Sequence, residues 1–214
     1  MILDYLLEHN LQVGDLIVEH MILVAIAESI AIGVGLTLGI AITRPRFKWL
    51  AHYVNGLSNI GQSVPSLSVI GLVIPLLGIG FTPAVFALFV YVVLPIIRNT
   101  YAGLMSVDKK ILEASVGIGL DPFQVLRHVE IPLAFTIILD GIRISTVFCI
   151  ATAALVFLIG AGGLGELIFT GIALVDIEMI LAGAIPVALL AFGVDLLFGV
   201  LERIVIGTSR IMNR

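Results

Sequence analysis

The sequence predicts an all-α membrane protein with five transmembrane helices, its N-terminus outside and its C-terminus inside. Three observations predict it. Of 214 residues, 60% are hydrophobic and only 12% are charged, with a mean hydropathy of +1.20; a soluble domain is about 45–50% apolar and about 25% charged. From Trp49 to Ile97 there is no Asp, Glu, Lys or Arg. At about 1.5 Å per helical residue this stretch is twice what one crossing needs, so it must fold back. Finally, placing the N-terminus outside puts all 11 Lys and Arg residues in the cytoplasm or at its interface. Asp4, Glu8, Asp15, Glu19, Glu166, Asp176 and Glu178 then collect on the opposite side, with no base among them.

The elements follow in order. Residues 1–19 carry Asp4, Glu8, Asp15 and Glu19 and no base, which does not fit a secretory signal and reads as an extracytoplasmic amphipathic segment. The first span, about 20–43, stops at Arg44-Pro45-Arg46. Two prolines, Pro75 and Pro83, enclose Gly78 and Gly80, and this turn divides a second span at about 54–75 from a third at about 83–102. Spans four and five are placed at about 135–160 and 179–201, and residues 206–214 form a cytoplasmic tail. Spans and connections together, residues 20–205, make one transmembrane domain.

Between spans three and four lies the one substantial cytoplasmic piece, the loop 103–132. Asp108 is a plausible N-cap for a helix that breaks at Gly117 and Gly119. Asp121, Pro122 and Gln124 have the spacing of a capping box with proline at the first helical position. Pro132 closes the second helix before span four. Two short helices on a glycine hinge suit docking into a groove of another protein, and a solvated loop with local caps is the alternative.

Composition excludes other chemistry. A phosphate-cradling loop ends in Gly-Lys-Ser/Thr, yet none of Lys48, Lys109 and Lys110 follows a glycine, so the chain binds no cofactor of its own and ATP and Mg belong to a partner. Cys149 is the single cysteine, and His9, His20, His52 and His128 lie far apart without ligand spacing. No metal site is expected, and the histidines read as polar residues at span edges.

Glu113-Ala114-Ser115, then Gly119 after three residues, then Val129-Glu130-Ile131-Pro132 after nine more, resembles the EAA loop of permease subunits in binding-protein-dependent ABC importers. Gln62 to Leu67, Ile74 to Tyr101 and Gly160 to Gly165 are similar to the branch that handles glycine betaine, carnitine and choline. The resemblance covers about residues 20–200. It implies that the loop forms coupling helices seated in a cytoplasmic ABC ATPase, with Glu113, Ala114, Ser115, Gly119, Asp121 and Pro132 at the coupling positions. It further implies an extracytoplasmic substrate-binding protein, a second permease subunit (a copy or a paralogue) and residence in a prokaryotic cell membrane, with no nucleic acid as partner. The function implied is ATP-driven inward movement of a small osmolyte, with an ABC permease for another solute such as methionine as the alternative.

Polar groups within the spans bear on the path. Asn55, Asn59, Gln62 and Ser66 recur at steps of four, three and four, which places them on one helical face beside the break expected at Pro65. Such a stripe lines a water-filled path or bonds between packed spans; the path is the favoured reading, and neutral amides and hydroxyls suit a zwitterion. Glu28 and Asp195 would serve a proton-coupled secondary transporter, but each is placed nearer an interface than the midplane and reads better as a structural acid with a partner. Asp140 and Arg143, three apart, read as a local ion pair. Gly33, Gly35 and Gly39 permit close approach of another helix to span one.

Overall fold

The computed structural model describes residues 9–212, apart from the side chains of Asn55, of residues 57–62 and of residues 205–212. Every regular element among the described residues is helical. Four stretches are long and apolar enough to cross a membrane: Asn10–Ala41, Phe81–Met105, Pro122–Ala153 and Ile177–Ile204.

Helix α1 (Asn10–Ala41) starts about ten residues before the predicted first span. Val13 and Leu16 are the reason: both are buried against Leu164, Leu167 and Ala182, and apolar burial extends the helix through Asp15 and Glu19. Of the predicted N-terminal segment, the described part is therefore the first turns of α1, and residues 1–8 lie outside the description.

The predicted second span is two helices, α2 (Leu50–Ser63) and α3 (Ser66–Leu77). Pro65 stands between them with extended geometry, φ −56° and ψ 134°. A proline offers no N–H and crowds the preceding turn, so the break is complete. Neither piece is long enough to cross a bilayer alone. Pro75 remains inside α3, and the fold-back is confined to Gly78–Gly80, both glycines at positive φ. The Gly80 N–H then donates to Ile159 O at 2.6 Å. Helix α4 (Phe81–Met105) carries Pro83 in its first turn, where a missing N–H costs nothing.

The predicted loop between spans three and four contains α5 (Lys109–Gly117) and the single turn α6 (Pro122–Val125). Pro132 does not close α6. A π turn at Leu126–Glu130 carries the chain without interruption into α7 (Ile131–Ala153), and Pro132 is that helix's second residue. The Ile131 N–H reaches back to Leu126 O, and the wider turn gives the proline ring room. After α7 a 3₁₀ turn, Leu155–Ile159, leads to glycines at positive φ (Gly160, Gly162 and Gly163) and then to α8 (Gly165–Leu174). Helix α9 (Ile177–Met212) runs on through most of the predicted tail.

The core is built where α1, α4 and α7 meet. Leu23, Ala27, Ala31, Leu88, Val92, Ile96, Cys149 and Ile150 are all buried there. Small residues set the spacing, as expected for helices packing without a strong hydrophobic drive. A Cβ on Gly35 would come 2.7 Å from Ile96, and one on Gly39 would come 2.6 Å from Thr100. Gly33 has nothing within 4 Å and takes no part.

Candidate functional site

Helix α5 and its exit are set by local chemistry. The Asp108 carboxylate accepts the Lys110 N–H at 2.9 Å, capping the first turn. At the other end Gly119 N–H donates to Val116 O at 2.9 Å and Leu120 N–H to Ser115 O at 3.2 Å. That is the Schellman pattern, and Gly119 adopts the φ of +93° it needs. A Cβ on Gly119 would meet nothing within 4 Å, so its backbone, not space, demands glycine. The Asp121 carboxylate accepts from Phe123 and Gln124 at 2.8 and 2.9 Å, and Gln124 Oε1 accepts from Asp121 N–H at 3.0 Å. The expected capping box is present.

This segment presents an open surface. Glu113 and Ala114 are exposed. Val116, Ile118 and Phe123 are 63%, 80% and 66% exposed, a concentration of apolar side chains on a small, capped projection. Ser115 is buried and donates to Ile111 O at 2.7 Å, a bond within the helix. Where the segment joins the bundle, Glu130 receives the Arg44 guanidinium on both carboxylate oxygens, with Arg44 Nη1 3.3 Å from Oε1. Nothing local in the sequence points to that pair.

The polar stripe is not one helical face. Ser66 opens α3 on the far side of the Pro65 break from Asn55, Asn59 and Gln62. It is half-buried, whereas the side chains of the other three lie outside the described residues.

The acids within the long helices are engaged. Glu28 is buried near the middle of α1, deeper than the sequence suggested, with Ser145 Oγ at 3.1 Å and Thr146 Oγ1 at 3.2 Å. Ser145 Oγ also donates to Val92 O at 2.7 Å, so one polar cluster ties α1, α4 and α7 together. His20, expected at a span edge, is fully buried with Nε2 3.0 Å from Ile150 O. Arg143 does not settle on Asp140. Its Nε and Nη2 donate to the two Asp195 oxygens at 2.7 and 2.9 Å, and Nη1 lies 3.8 Å from Glu202 Oε2. The planar fork fits a carboxylate on the facing helix better than one a turn away on its own. Among the described residues, no three His, Cys, Asp or Glu side chains could together hold a metal ion.

Residues 32–207 match the family described as the binding-protein-dependent transport system inner membrane component. The chain belongs to this family. It is a permease subunit, a transport component rather than an ATPase, in a multi-pass membrane fold. Among similar proteins is the glycine betaine/carnitine/choline transport system permease OpuCB of Bacillus subtilis, 48% identical over 185 residues, covering 86% of this permease and 84% of the relative. The osmoprotectant import permease OsmY of Salmonella typhimurium is 47% identical over 84% of this chain and 76% of its own. The inward-facing MetNI methionine ABC transporter shares the fold, with a TM-score of 0.76 at 23% identity over 88% of this permease and 94% of that chain.

Proposed function

We propose that this permease moves a quaternary ammonium osmolyte inward (glycine betaine, choline, carnitine or a related betaine) by alternating access driven by separate cytoplasmic ATPases. The observation that carries the substrate class is the 48% identity to OpuCB over 86% of this chain and 84% of that one. The methionine transporter supports the fold alone at 23% identity, and so does not argue for methionine.

In this reading the N-terminus is outside and the C-terminus inside, and the broken pair α2–α3 completes a fifth crossing. The ATPase receives the α5–α6 projection, with Glu113, Ala114, Gly119 and Asp121 at the docking surface, Ser115 buried behind them and Pro132 at the root of α7. A binding protein delivers substrate at the opposite face, near the 161–178 segment and the start of α1. A second permease subunit closes the path, and Asn55, Asn59, Gln62 and Ser66 contribute to its lining around Pro65. A proton-coupled carrier using Glu28 and Asp195 is disfavoured by their engagement with Ser145, Thr146 and Arg143. The test is uptake into proteoliposomes holding this permease with the ATPase and binding protein encoded beside it. Choline and glycine betaine should accumulate only with ATP, and uptake of methionine in their place would overturn the substrate class.

A further inference from the structure

The Arg143–Asp195 pair borders a cavity of about 390 Å³ between α7 and α9, lined also by Gly199, Glu202 and Arg203. Asp195, Gly199 and Glu202 are spaced four and three apart, so they share one face of α9. Arg143 and Asp195 both lie within stretches long and apolar enough to cross a membrane. The side chains of Arg143, Asp195 and Glu202 nonetheless stay 30%, 40% and 29% exposed. Charged groups with that much open surface face water or protein, not acyl chains. Leu196 and Val200 add apolar surface to the lining, while the neighbouring Phe192 and Leu197 are more than half exposed.

We propose that this cavity is a station for zwitterionic substrate, in which the substrate carboxylate takes the Arg143 fork while its cationic end is matched by Asp195 and Glu202. The proposal rests on the substrate class argued above. The lining holds two cations and two carboxylates, so it is neutral when empty and remains neutral with a zwitterion inside. When substrate leaves, Arg143 and Asp195 close on each other, and neither of the two is left as a bare charge. In the orientation proposed above the station lies toward the cytoplasmic end, roughly 27 Å along α9 from Ile177 at 1.5 Å per residue.

Glycine betaine and choline separate the two halves of the site, because both carry a trimethylammonium group but only the former carries a carboxylate. The experiment compares their uptake by the reconstituted importer, wild type beside Arg143→Gln and Asp195→Asn. Removing the fork should cut glycine betaine uptake about tenfold or more relative to choline, because a carboxylate is left without its donors. Removing the carboxylate should shift the ratio the other way. A ratio unchanged in both variants, with uptake lowered equally for the two solutes, would reduce the pair to a helix tie and overturn the proposal.

Gly199→Leu provides a second arm should the charge variants fail to assemble. A Cβ at Gly199 meets nothing within 4 Å, so the new side chain enters open space without displacing a neighbour. It should impair carnitine more than the smaller glycine betaine; equal uptake of both at wild-type rates counts against the station. Wild-type importer that takes up none of these solutes defeats the substrate class itself, whereas wild-type uptake with unmoved ratios defeats only the station.

Discussion

Arg44, just past the end of α1, and Glu130, in the π turn that leads into α7, meet in a two-point ion pair although 86 residues separate them in the chain. Glu130 is the better buried partner, with 12% of its side chain exposed against 32% for Arg44. The pair fastens the root of the α5–α6 projection to the end of α1. A force applied to the projection therefore reaches two long helices at once.

Breaking that pair should uncouple and destabilise. Arg44→Glu or Glu130→Arg alone should lower stability by about 1.5–3 kcal/mol, the usual range for a charged hydrogen bond, and should lower uptake per ATP hydrolysed. The double exchange restores opposite charges and should recover much of both. The check is ATPase rate against solute uptake in proteoliposomes, and a double exchange no better than the singles would mean the contact is incidental.

Gly119 should tolerate substitution by backbone criteria and not by size. Alanine is the smallest change, yet it meets a φ of +93° that L-residues avoid, at a cost of about 1–2 kcal/mol. Asparagine, which enters left-handed conformations more readily, should do less harm than alanine. Gly119→Asp should insert into the membrane normally and lose co-purification with the ATPase. Normal transport by that variant would remove α5–α6 from the coupling surface.

Glu28 should behave as a fastener. Glu28→Gln keeps a side chain able to bond Ser145 and Thr146 and should preserve ATP-driven uptake. Glu28→Leu removes the side-chain bonds from α1 to α7, while Ser145 and Thr146 keep Val92 O and Ile142 O as acceptors, and should cost about 1 kcal/mol. Thermal unfolding in detergent distinguishes the two. Uptake abolished by glutamine, and by collapse of a proton gradient, would instead mark a proton path.

Orientation can be read by cysteine labelling, since native Cys149 is buried and should stay silent. Thr170→Cys, in α8, should react with an impermeant reagent added outside intact cells. Lys109→Cys, at the start of α5, should react only after permeabilisation. The reverse pattern would invert the topology.

How much was legible in the sequence depended on range. The caps of α5 and α6 were readable because Asp108, Asp121 and Gln124 act within three residues of themselves, and Gly119 answers a demand of its own backbone. The Pro65 break was readable for the same reason, although its completeness was not. Helix α1 begins ahead of the expected span because burial of Val13 and Leu16 against Leu164 and Leu167, distant in the chain, carries it through Asp15 and Glu19.

The sequence by itself determined that the chain crosses a membrane several times and where the caps of α5 and α6 stand. Those follow from hydropathy, charge and short-range hydrogen bonding, each a property of neighbours along the chain. Only the tertiary structure decided that Arg143 faces Asp195 instead of Asp140, that Glu28 and His20 are interior, and that Glu130 holds Arg44. Hydrogen bonds and ion pairs act over a few ångströms of space, and which distant residues come within that reach is settled by how the helices pack.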